Sequence, residues 1–324
     1  MKILITGTAG FIGFSLAKEL LKNKQNKIYG IDNFDDYYSI KLKKKRIHEL
    51  KKNINYRFYK IDISTGKLSV FFKNKKFDQV FHFAAQAGVR YSLLNPRKYI
   101  NVNLNGFINL LENLVINKPK KFFYASSSSV YGDAATFPLK EDSVLEPKNI
   151  YGYTKKLNEE IAEYYSKYFK LNSIGMRFFT VYGEWGRPDM FILKLLSYHS
   201  ANKIFELNNK GDHYRDFTSI KDVLNIFKIL IKKRTKNHQI FNICSNNPIL
   251  VSKLLKMIEK RTGRIKIKNV MKNSADVYKT HGDNKKILNY CGIKKKDLAN
   301  FETELKKLIS WYKTIEKQNL FNNK

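Results

Sequence analysis

Only two cysteines, Cys244 and Cys291, occur in 324 residues. So few exclude a disulfide framework and leave nothing from which to build a thiolate zinc site; no metal site is expected. No apolar run approaches the ~18–20 residues needed to span a bilayer. Residues 1–6 form a short apolar run that ends at Gly7, without the longer stretch and small-residue cleavage site of a secretory leader. A soluble, cytoplasmic protein with no membrane partner is therefore expected. Gly/Ser linkers and low-complexity segments are absent, and no period of 20–50 residues recurs, which excludes a solenoid. Acidic residues are the scarce charge: 28 Asp and Glu stand against 61 Lys and Arg, a net charge of +33. The lysines are spread along the chain rather than clustered, so a specific nucleic-acid partner is not expected. Such a field would still attract an anionic substrate. The basic stretches 41–46 and 294–296 read as solvated helix or loop surface.

What is present suits a large core: 43% of residues are hydrophobic and 14% aromatic. Short apolar runs at 2–6, 27–32, 56–61, 79–84, 121–126 and 173–177 read as strands. Stretches of helical periodicity at 11–23, 96–115 and 151–169 lie between them. That alternation indicates right-handed crossovers and a parallel sheet covered on both faces. Further on, the pattern predicts helices at 191–201, 221–232 and 297–313, a strand at 239–244 and a hairpin-like stretch at 204–218. The fold class is α/β: a Rossmann-type, doubly wound parallel sheet with a smaller C-terminal α/β substrate domain. Residues 1–179 and 216–245 are assigned to the dinucleotide-binding domain, and 180–215 and 246–324 to the substrate domain.

Gly7-Thr8-Ala9-Gly10-Phe11-Ile12-Gly13 follows the first strand and opens the first helix. One glycine permits the tight turn, another lets a pyrophosphate approach the backbone, and the last lets helix pack on strand. The helix N-terminus then offers the phosphates unpaired N–H groups and partial positive charge. Asp32, followed by Asn33, ends the second strand where a ribose-binding acid belongs. A carboxylate there favours NAD over its 2′-phosphorylated form. Asp62-Ile63 after the third strand, Phe83-Ala84-Ala85 after the fourth and Asn103 on the next helix complete the candidate cofactor contacts.

Tyr151 and Lys155 lie four residues apart and share one face of a helix. A tyrosine titrates near ~10, too high for a base at neutral pH, and a neighbouring ammonium favours its phenolate. The run Ser126-Ser127-Ser128-Ser129 closes the fifth strand, at the carboxyl edge where parallel sheets bind ligands.

The chain resembles the extended short-chain dehydrogenases/reductases of the NAD-dependent epimerase/dehydratase family, and within them the UDP-glucuronate 4-epimerases. Residues 6–13, 30–38, 82–92, 124–132, 151–155, 177–190 and 215–218 carry the likeness over nearly the whole length. The most specific segments are 85–92, 177–183 and Gly186-Arg187-Pro188-Asp189-Met190. The resemblance implies Ser127 as catalytic hydroxyl, Tyr151 as acid/base and Lys155 as its partner. It also implies tightly bound NAD, a UDP-sugar substrate and a homodimer. Arg90, Ser127, Ser128, Thr180, Arg187, Arg215 and Asp276 become substrate contacts, with Arg187 assigned to a sugar carboxylate and Arg215 to the diphosphate. An ion pair with Asp216 is the alternative for Arg215. Two departures stand out. Ala275 replaces the glycine usual before Asp276, and Glu184-Trp185 stands where a proline often follows the glycine. The implied reaction is inversion at C4 of UDP-glucuronate through a transient 4-keto sugar. A 4-epimerase of UDP-glucose or UDP-N-acetylglucosamine, a decarboxylase and a dehydratase remain as alternatives.

Overall fold

Alternating strands and helices build the expected parallel sheet. The computed structural model describes residues 1–271 and 277–321. Its main strands are β1 (Lys2–Thr6), β2 (Lys27–Asp32), β3 (Tyr56–Lys60), β4 (Gln79–His82), β5 (Lys121–Ser127) and β6 (Ser173–Phe178). The smaller elements add β7 (Thr180–Tyr182), β8 (Phe205–Asn208), β9 (Tyr214–Ser219), β10 (His238–Ile243), β11 (Pro248–Leu250) and β12 (Ile267–Val270). Seven strands join in the order β10-β6-β5-β4-β1-β2-β3, every neighbouring pair parallel.

Alternation along the strands feeds two cores. Ile3, Ile5, Phe81 and Phe123 face one side, where helices Phe11–Leu20 and Ile220–Lys232 supply Phe14, Leu16, Phe227 and Leu230. Leu4, Val80, Phe122 and Tyr124 face the other, covered by Gly106–Asn117 and Ile150–Phe169 through Phe107, Leu110 and Ala162. Strand order reverses between β1 and β4, so their carboxyl ends open onto the crevice where such sheets bind ligands. A third core, around Leu193, Phe205, Phe217, Leu254 and Leu308, holds the C-terminal elements together.

Three expectations are corrected. Residues 204–218 do not form a hairpin: β8 pairs in parallel with β12, and β9 lies between β7 and β11. The 96–115 helix is split into Pro96–Tyr99, a π-helical segment Ile100–Asn105 and Gly106–Asn117. The basic stretch 41–46 is not all solvated: helix Ile40–Lys51 buries Lys43 and Arg46. Spacing explains it, since Leu42, Lys43, Arg46, Ile47 and Leu50 share one face.

Candidate active site

A cleft of about 410 Å³ runs along the carboxyl edge of the main sheet. At its floor, Gly7 turns the chain at a φ of +72°. A Cβ on Gly7 would stand 2.5 Å from Ala84 N, and one on Gly13 would stand 2.3 Å from the Gly7 carbonyl. Both sites admit only glycine. Gly10 caps helix Phe11–Leu20 without any side-chain bond, leaving the first-turn N–H groups to a ligand. Gly7, Gly10, Phe11, Ile12 and Gly13 all line the cleft. The cradle fits a dinucleotide diphosphate.

Asp32 lines the same cleft and accepts Ala9 N at 3.0 Å and Phe34 N at 2.9 Å. Burial pushes its carboxyl upward, against the pull of Lys43, these backbone amides and Arg46. Each oxygen keeps a lone pair for a ribose hydroxyl. Asn33 donates to Asp62 at 2.9 Å, so the two loops that would flank the adenine are bonded together. Ile63, Phe83, Ala84 and Ala85 also line the cleft. Asn103 does not. It is buried, takes Gln86 N on its oxygen at 2.7 Å, and donates to the Gln86 carbonyl and to Thr154. With its amide spent there, it braces the wall from behind.

Tyr151 and Lys155 enter from helix Ile150–Phe169, whose N-cap Asn149 accepts Gly152 N at 2.9 Å. The Lys155 ammonium donates to the Ala125 carbonyl at 2.9 Å and lies 6.0 Å from the centre of the Tyr151 ring. Burial lowers Lys155 to about 8, opposed by Glu159. The expected depression of the Tyr151 phenol by Lys155 is not what the protein alone presents. Burial raises it, and the pull downward comes from a hydrogen bond with Ser127 and the charge of Arg187. Ser127 also accepts Ser129 N at 3.1 Å. Behind the run, Ser126 donates to Glu159 at 2.5 Å, and Arg177 grips the same carboxylate at 2.9 and 2.7 Å.

Ser128, Thr180, Arg187 and Arg215 line the cleft as well. Arg187 turns one edge onto Asp189, at 3.0 Å from Nε and 2.5 Å from Nη2. Tyr37 donates to the same carboxylate at 3.1 Å and lies under the guanidinium. Burial raises the Asp189 carboxyl, but Arg187 and Tyr37 outweigh it and hold the group below its ordinary value. Arg215 donates to the carbonyls of Tyr214 and Tyr278, while Asp216 turns away onto Ser245, Asn246 and Gly282. Arg90 stands exposed on helix Val89–Leu94 and outside the cleft lining, which Val89 joins instead. Asp276 lies outside the described residues. Reading the sequence missed Tyr37, Asp189, Lys43 and Arg46 as site residues. The last two are visible in the helical spacing of 40–51, but nothing local pairs Tyr37 with a residue 152 positions on.

A parallel sheet with a glycine-turn cradle, facing a Ser-Tyr-Lys cluster across one cleft, defines a Rossmann-type enzyme that works on a bound dinucleotide. The chain belongs to the NAD dependent epimerase/dehydratase family, whose model matches residues 3–244. Its cofactor is NAD. Among its relatives is UDP-glucuronate 4-epimerase 4 of Arabidopsis thaliana, 36% identical over 330 residues, covering 96% of this chain and 75% of the plant protein. An uncharacterized protein of Methanocaldococcus jannaschii is 41% identical over 314 residues, covering 96% and 95%. The UDP-glucuronic acid 4-epimerase of Bacillus cereus, solved with UDP-glucuronic acid and NAD, superposes with a TM-score of 0.91 at 30% identity, covering 97% of this chain and all of that one (100%).

Proposed function

We propose that this enzyme inverts C4 of UDP-glucuronate to give UDP-galacturonate. The observation that carries the reading is the meeting of Ser127, Tyr151 and Lys155 with Thr180 and Arg187 in one cleft above the glycine turn. The glycine turn, Asp32 and Lys155 would hold NAD, which when bound supplies the hydride acceptor and donor at C4 and a positive charge beside Tyr151. Tyr151 takes the C4 hydroxyl proton and later returns it, while Ser127 bonds the same oxygen. Ser127 and the charge of Arg187 favour the phenolate against burial. Arg215 serves the diphosphate. Thr180, Arg187 and the serine run hold the sugar carboxylate, so that its bond to carbon stays out of line with the ketone and decarboxylation is suppressed.

One observation favours a second reading. Asp189 already neutralises Arg187, and an arginine so paired attracts a carboxylate less; a neutral UDP-hexose would suit that pocket. Incubation with UDP-glucuronate or UDP-glucose and no added NAD, followed by product identification, separates the two. We expect galacturonate from the first and at least about a hundredfold slower turnover of the second. Tyr151→Phe is expected to lose roughly 10²–10⁴ in rate, the usual worth of a general acid/base.

The division of the chain at 180–215 and 246–324 is part of this proposal, as is a homodimer. Tyr153, Leu157, Tyr164 and Tyr168 form an exposed apolar stripe on helix Ile150–Phe169, with Leu93, Leu94 and Ile100 exposed on preceding elements. Such a patch suits a two-fold contact.

A further inference from the structure

Arg46 is completely buried. Its Nη1 donates to the Ala9 carbonyl at 2.7 Å and to the Tyr38 hydroxyl at 2.9 Å. Its Nη2 donates to the carbonyls of Trp185 at 2.5 Å and Gly186 at 2.9 Å. Ala9 lies within the glycine turn, between Gly7 and Gly10, and Gly186 immediately precedes Arg187. One planar cation therefore grips two loops that are far apart in sequence. The second loop is conformationally committed: Trp185 sits at a φ of +61°, with its ring 5.1 Å from Phe14 and 5.6 Å from Trp311.

All four direct acceptors of Arg46 are neutral oxygens, with the Asp32 carboxylate acting on it only by its charge. Burying a guanidinium this way is expensive, and an apolar side chain of similar volume would fill the space without that penalty. An apolar side chain can hold no carbonyl, and a lysine gathers its acceptors around one nitrogen, as Lys121 does with Leu230, Ile231 and Lys233. The arginine fork instead reaches Ala9 from one nitrogen and Trp185 and Gly186 from another. We propose that Arg46 is a positioning residue that couples the dinucleotide turn to the Arg187 loop, so that engaging a sugar at one steadies the cofactor at the other. The inference rests on the site assignment made under Proposed function.

The test follows exchange of bound NAD for radiolabelled NAD, with and without saturating UDP-glucuronate. In the wild-type enzyme the sugar nucleotide is expected to slow exchange at least about fivefold, the lower end of ordinary coupling between sites. In Arg46→Lys and Arg46→Met the slowing should fall below about twofold, with the far-ultraviolet dichroism unchanged. A purely structural role would lower the melting temperature and leave the ratio intact. Should both variants fail to fold, Tyr38→Phe removes one of the four contacts and is expected to cut the ratio about twofold. A wild-type enzyme without slowing, or a folded Arg46→Lys or Tyr38→Phe with the wild-type ratio, overturns the proposal. Turnover is scored separately. Slowed exchange without epimerisation sinks the reaction assigned above and keeps the coupling, whereas epimerisation without slowing sinks the coupling alone.

Discussion

His82 ends β4 beneath the cleft, with Nδ1 2.7 Å from the Thr6 hydroxyl and its ring against Phe107. Burial, and then the charge of Lys155, depress it to about 3. His238 on β10 is depressed to about 4, by burial and then by Arg177 and Lys286. In the unfolded chain both titrate near ~6.5. A histidine with a lowered folded pKa binds fewer protons when folded, so its share of stability is present above about 6.5 and is lost as pH falls toward the folded value. Each contributes a loss of about 1.4 kcal/mol per pH unit in that window. Asp32 and Asp216, whose carboxyls burial raises, work in the opposite direction near the carboxylate range. Between pH 6.5 and 5 the histidines dominate, and unfolding stability should fall. Replacing His82 by Asn, which keeps a partner for Thr6, is expected to reduce proton uptake on unfolding at pH 5 by about one per molecule. Urea melts across this range measure it, and an unchanged slope would contradict the assignment.

The glycine turn shows what a single element asks of its sequence. A methyl on Gly13 would meet the Gly7 carbonyl at 2.3 Å and Thr8 Cα at 3.1 Å, and both are backbone that cannot swing aside. Gly13→Ala should lift helix Phe11–Leu20 off the turn, cost about 1–3 kcal/mol of stability and leave the purified protein without bound NAD. Gly66→Ala is the control, since nothing lies within 4 Å of its added methyl; calorimetry and cofactor content should match the wild type. This turn was legible in sequence because the spacing of Gly7, Gly10 and Gly13 is itself the steric requirement. So were β1 to β6 and β10, which at four to seven residues are long enough to show a pattern. The satellite strands were not: β7 and β11 have three residues each, too few for any period. The apparent hairpin failed because alternation reveals which residues face a core and not which strand pairs with which. The composition of the cationic run 41–46 suggests surface, but the position of Arg46 four residues after Leu42 and four before Leu50 places it on the inner face.

At the scale of the whole molecule, a charge of +33 works against self-association, so any contact between copies must rest on apolar area. Helix Ile150–Phe169 offers that area in an instructive place. Its inner face carries Lys155, Asn158 and Ala162 against the sheet, and its outer face carries Tyr153 and Leu157, then Tyr164 and Tyr168, at spacings of four, seven and four that keep one stripe. The proposed catalytic pair and the proposed contact thus share one rigid element, turned opposite ways. No helix among the described residues is long and apolar enough to cross a membrane. A two-fold packing of this helix on its copy, with Leu93, Leu94 and Ile100 alongside, would bury it from water. Sedimentation is then expected to give twice the chain mass of 38.1 kDa. The double substitution Leu157→Lys with Tyr164→Lys, adding cations where the net charge already repels, should give the single-chain mass. Melting temperature should rise with concentration for the wild type and not for the variant, because association stabilises the folded state by mass action. A wild-type enzyme that sediments as one chain would leave the stripe unexplained by self-association.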